Sequence, residues 1–234
     1  FIKFFLMFWI VFIGTLVIGF WAQIKVKRCF AHYSQIRAHN GYSGGEVAAQ
    51  ILRSAGIHDV GIHVQRGQLN DHYDPIRKRL VLSDQNYHGT SISAIAVAAH
   101  ECGHALQHQQ SYGPLKFRMA SVGITSIANG MLTWIMIGGL FLGLIPFQIA
   151  LPILALCWGV IMAFNLVTLP VEFDASRRAK VVLNQMGFTS TSTEDEGVSK
   201  VLNAAAFTYV AAFVSSLGWF LYYILPFVTG GSDD

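Results

Sequence analysis

His100-Glu101-Cys102-Gly103-His104 is the stretch of this 234-residue chain whose residue types and spacing spell out a reaction. Residues four apart in a helix lie on one face, about one turn or ~5.4 Å apart. Two imidazoles so placed grip one zinc ion at about 2 Å each. Glu101, beside the first of them, is then positioned to take a proton from a water that the metal activates. At this content of His and Glu, chance produces the pattern in roughly one shuffled chain in a hundred. Its setting, IAVAAHECGHAL, is apolar and small, which suits a half-buried site better than a solvated face.

A zinc site needs a third protein ligand. His108 shares the face of His100 and His104 but lies about 12 Å along the axis from His100, too far for one ion. The longer metzincin pattern would need Gly at 107 and His at 110, where this chain has Gln107 and Gln110. Glu172 is the best remaining carboxylate, because it follows an apolar hairpin that returns the chain to the side of the HExxH helix. Cys102 points about 100° away from Glu101 around the helix and is read as a packing residue. Three cysteines without a CxxC pair do not suggest a disulfide framework.

The elements that must position these groups follow from local pattern. Ser91 to Gln110 reads as the active helix. Ser43, with Glu46 completing a capping box, opens an earlier helix that closes at Ala55-Gly56. Val60 to Val64 and Leu80 to Ser83 read as strands. Arg66 to Gln68 reads as a turn, Leu69 to Pro75 as an irregular strand or loop, and His88 to Ser91 as a loop. A short helix beyond Pro170 runs to about Gln185 and stops at Gly187. Thr193 and Glu196 read as a second capping box, opening a helix that continues into the last apolar run.

The chain is 53% hydrophobic and only 12% charged. Four runs without Lys, Arg, Asp or Glu are long enough to cross a bilayer, which takes about 20 residues. They are Phe4 to Ala22, Met119 to Leu144, Phe147 to Leu169 and Ala204 to Val228. The first lacks a cleavage site and is followed by a basic flank, so it reads as an anchor rather than a removable signal. The chain opens on Phe1 rather than Met, and a few preceding residues are expected. Of the Lys and Arg residues, eleven lie between 23 and 118, four between 170 and 200, and only Lys3 elsewhere. That asymmetry places both polar segments in the cytoplasm and both termini outside. No basic stripe or motif argues for nucleic acid. Asn129, Thr133 and Asn165, polar within spans, read as bonds between helices.

HECGHALQHQ, LNDHYDP, LPVEFDASRRA and VLNAAAFTYVAA together resemble the neutral zinc metallopeptidases of bacterial membranes, the YugP-type family, over nearly the whole chain. More distantly the layout is similar to the HtpX-type and CAAX-processing membrane endopeptidases. These are gluzincins that also place a transmembrane hairpin between HExxH and a ligand Glu. The resemblance implies Zn2+ on His100, His104 and Glu172, with Glu101 as base. The wider pattern carries Asp four residues after the ligand Glu, where this chain has Ser176. Ser176 shares the Glu172 face and Asp174 does not, if the segment is helical.

The expected fold is an α-helical membrane protein of four spans with a small α+β zincin-like domain carrying the HExxH helix at the cytoplasmic surface. Residues 1–22 form the first transmembrane helix and 23–118 the cytoplasmic catalytic domain. Residues 119–169 form a transmembrane hairpin and 170–200 a cytoplasmic segment with the third ligand. Residues 201–228 form the fourth transmembrane helix and 229–234 a tail. The expected function is a zinc endopeptidase of the bacterial inner membrane that cuts peptide bonds of membrane or membrane-associated proteins at the cytoplasmic face. An oligomer or a regulatory membrane partner is compatible with it. His72, Tyr73 and Tyr209 are candidates for a further oxyanion donor, and Ser176 for support of a zinc histidine. Leu80 to Ser83 is a candidate strand for substrate addition. An intramembrane protease is disfavoured because the HExxH helix is too short to span. The rival class is a non-catalytic zinc-binding membrane scaffold or carrier, which would have no use for a base beside its ligand.

Overall fold

A computed structural model describes residues 2–67 and 70–229, the side chain of Leu140 apart. Gln68, Leu69 and the tail from residue 230 therefore lie outside the described residues. The chain is mostly helical, with a small three-stranded sheet. Its elements are α1 (Ile2–Tyr33), α2 (Gly44–Ser54), β1 (Gly61–Gln65), β2 (His72–Asp74), β3 (Arg79–Ser83), α3 (Asp84–His88) and α4 (Ile92–Gln109). Then follow α5 (Gly113–Trp134), extended by a π-helical stretch Ile135–Phe141, α6 (Phe147–Gln185) and α7 (Ser192–Val228).

The residues group into two units. The first comprises Phe1–Ala22, Phe117–Leu169 and Thr208–Asp234. Among the described residues, four helices (α1, α5 with its extension, α6 and α7) are long and apolar enough to cross a membrane. Within this unit Ala150, Leu154, Tyr222 and Tyr223 are buried together, while Ile10, Phe20, Trp134 and Leu156 are well exposed. Large apolar side chains left outward in such numbers suit contact with lipid rather than water. Asn165 bonds between helices, its amide donating to Ser216 Oγ at 3.0 Å and to the Ala212 carbonyl. Among the described residues, Asn129 and Thr133 bond within their own helix instead. Each donates to a carbonyl one turn back in its own helix, Thr125 and Asn129 respectively.

The second unit comprises Gln23–Lys116 and Pro170–Phe207. Its core gathers Val47, Ile51, Leu80, Leu82, Ile92, Ile95, Ala179, Leu183 and Leu202. Ser43 caps α2 in a reciprocal capping box with Glu46. Ser91 caps α4, accepting from the Ala94 N–H. The sheet order is β1-β3-β2, with β1 parallel and β2 antiparallel to β3. β3, Arg79–Ser83, is therefore the central strand and already paired on both sides. It offers no free edge for substrate, and the edge strand lying against α4 is β2.

Three local features differ from the sequence expectation. The loop before the active helix begins with the short α3. The second capping box is formed by Thr191 and Glu194, two residues earlier than expected: Thr191 Oγ1 accepts from the Glu194 N–H, and Glu194 accepts from the Thr191 N–H. And α6 passes through Pro170 without a break. Proline already has a helical φ, but it forfeits one backbone bond and its ring crowds the carbonyl four residues back. Val171, Ala175, Ala179 and Leu183, spaced by four and fully buried, hold the helix against that loss.

Candidate metal centre

α4 carries His100, Glu101 and His104, and α6 brings Glu172 to them. The approach is close because Gly103 of α4 has no side chain. A Cβ there would stand 2.6 Å from the Ala175 carbonyl oxygen of α6. Glu172 Oε2 lies 3.2 Å from His100 Nε2 and 3.5 Å from His104 Nε2. One ligand atom from each residue lies within 4.8 Å of the others. Two atoms bound tetrahedrally to one zinc at about 2.0–2.1 Å stand about 3.3 Å apart. The two Glu172–histidine separations and the donor set, two imidazoles and one carboxylate, fit such an ion.

The outward nitrogens of both imidazoles are engaged. His100 Nδ1 lies 3.2 Å from Ser176 Oγ. His104 Nδ1 lies 3.0 Å from Gln107 Oε1. The Gln107 amide donates to the Val171 carbonyl at 2.7 Å and to Asp174 Oδ2 at 2.9 Å. Arg177 and Arg178 donate in turn to Asp174. Asp174 thus lies off the Glu172 face, as expected, yet is buried against α4.

Electrostatics differ sharply between the two glutamates. Glu172 is 1% exposed. Burial raises its carboxyl pKa, but hydrogen bonds from His100 and His104 outweigh burial and hold it well below the usual range. Glu101 is 8% exposed. Burial pushes it up to about 7, with Glu172 and Asp71 adding to the rise, while His100 and a hydrogen bond from the Tyr73 backbone N–H oppose it. The surroundings thus favour the ionised form at Glu172 and work against it at Glu101.

Tyr73 and His72 make other contacts. Tyr73 meets Glu101 through its backbone, while its hydroxyl lies 2.8 Å from His108 Nδ1. His72 is exposed, with its ring on the Asn70 carbonyl. Tyr209 lies in α7, in the membrane-type unit. Cys102 is fully buried, its thiol toward the Ala48 carbonyl. Gln107 and Asp174 are the site neighbours that sequence reading passes over. Position 107, three residues after His104, was the available signal, since i and i+3 are neighbours on a helix.

The model of a family described as "Putative neutral zinc metallopeptidase" matches residues 8–228. The chain is 45% identical, over 222 residues, to the Bacillus subtilis (strain 168) protein named "Putative membrane protease YugP", covering 95% of this chain and 97% of that one. No solved structure matches the chain.

Proposed function

The chain belongs to the neutral zinc metallopeptidase family, and we propose that it is a membrane-embedded zinc endopeptidase of gluzincin type. His100, His104 and Glu172 would hold the metal. The observation that carries this reading is the convergence of these three side chains from α4 and α6, with Glu101 buried beside them. Zinc at that point supplies a Lewis acid for the scissile carbonyl and lowers the pKa of water to about 7.

The rest of the work falls to the chain itself. Glu101 takes the proton of the attacking water and passes it to the leaving amine. The Tyr73 N–H fixes the Glu101 carboxylate against β2. β2 is one of the sheet's two edge strands and the one against α4, so an extended peptide is positioned by pairing with it, beside Glu101. In a chain that also carries helices apolar enough to cross a membrane, such a substrate fits segments of membrane or membrane-associated proteins. We read the polar segments as cytoplasmic in a bacterial cell and both termini as outside, a reading the Lys and Arg asymmetry supports.

The test is a comparison of membrane-protein fragments in cells carrying the parent protein and Glu101→Gln. Fragments present with the parent and absent with the variant are expected. Identical fragment patterns, with zinc bound in both, would favour a non-catalytic zinc-binding scaffold.

A further inference from the structure

Gln107 makes three hydrogen bonds from a fully buried position. Its two amide protons go to acceptors that cannot donate, the Val171 carbonyl and Asp174 Oδ2. The amide orientation is fixed by this. Flipped, its oxygen would face two oxygens at 2.7 and 2.9 Å. Oε1 must then face His104, and as an acceptor it requires the proton of that ring on Nδ1. With a metal bound, Nε2, the nitrogen turned toward Glu172, would then be the one that offers its lone pair.

Asp174 is tied in from the far side. It accepts from Arg177 and Arg178, and Arg178 also donates to Gln110 Oε1 at 2.6 Å. The link from Asp174 through Gln107 to His104 spans α6 to α4. The Val171 contact joins it to the backbone of the residue just before Glu172.

Resting on the metal-site reading above, we infer that Gln107 is a positioning residue, oriented by Asp174, that sets the tautomer of His104 and the spacing between His104 and Glu172. The two imidazoles are therefore supported unequally. His100 has one hydroxyl, that of Ser176, whereas His104 has an amide held by a carboxylate. Partners of this kind typically contribute 10–100-fold to metal affinity.

The experiment uses the full chain in detergent micelles at mildly alkaline pH. Zinc affinity is read by chelator competition, and the imidazole 15N spectrum of the zinc-loaded protein reports which His104 nitrogen carries the proton. Gln107→Leu, of similar size, is expected to lose about 10–100-fold in zinc affinity and to shift or broaden the His104 Nδ1 signal. Gln107→Glu sets a carboxylate against Asp174 and is expected to be comparably impaired.

The exchanged pair Gln107→Glu with Asp174→Asn restores an acceptor for His104 and a donor from residue 174. The Val171 carbonyl still loses its donor, so the pair is expected to regain part of the affinity and the Nδ1 signal, with a coupling beyond additivity. A purely structural clamp predicts no such rescue. Gln107→Leu within two-fold of the parent, or a double variant no better than the sum of its parts, overturns the inference alone. A parent protein that holds no zinc overturns it together with the metal-site reading.

Discussion

Gly103 lies against the backbone of Ala175, and the contact sets how closely α4 and α6 approach. The three nearest atoms to a Cβ at position 103 all belong to the Ala175 backbone, so no side-chain rotation relieves the clash. Gly103→Ala must push the helices apart, which withdraws Glu172 from the histidines. Overpacking of this kind costs about 1–3 kcal/mol. Lower thermal stability and lower zinc occupancy are expected together, and Ala175→Gly should rescue neither. Gly123, with nothing within 4 Å of its Cβ position, is the control. Gly123→Ala should leave zinc unchanged.

Glu172→Gln should weaken zinc binding strongly, because a neutral amide replaces an anionic oxygen donor. Ser176→Ala removes the hydroxyl at His100 Nδ1 and should cost about 10-fold in affinity. Both are read by chelator competition on purified protein. Full zinc affinity in Glu172→Gln would remove this residue from the ligand set and leave His100 and His104 standing.

His100→Ala or His104→Ala should abolish zinc binding. Glu101→Gln should keep it and lower turnover by about 10²–10⁴-fold, the usual contribution of a general acid–base group. Zinc stoichiometry and peptide cleavage, measured on the same samples, separate the two roles. Loss of zinc in Glu101→Gln with retention in the histidine variants would exchange the assignments.

What could be read from sequence was whatever has a local signature. The active helix announces itself by the Ser91 cap and by HExxH, and the capping box at Ser43 by its own spacing. The apolar runs are legible because lipid demands length. β2 was only half legible. Three residues cannot show alternation, and its edge position depends on pairing with β3. For Gln107 only the i,i+3 relation to His104 is legible, because its contacts with α6 lie 64 and 67 residues away. Pro170 misled because the signal it carries is local, while the burial of Val171 and Ala175 that overrides it is tertiary.

Glu194 offers a test of the fold away from the metal. It is 5% exposed, at the start of α7. One oxygen accepts from the His39 N–H at 2.7 Å, and the other from Ser190 and Thr191. Burial raises its pKa, but these hydrogen bonds outweigh burial, and the folded-state value lies below 4.5. A carboxylate with a depressed folded pKa contributes stability that is present above the unfolded value and lost as pH falls through the folded one. Glu194→Gln turns an amide donor toward at least one N–H that needs an acceptor. A loss of about 1–3 kcal/mol at neutral pH is expected. The gap between parent and variant should be full at pH 7 and should narrow below about pH 4.5 as Glu194 protonates in the parent. Unfolding midpoints measured across that range provide the check. A gap independent of pH would show that Glu194 contributes through packing alone, and a gap that widened on acidification would reverse the sign of its coupling to folding.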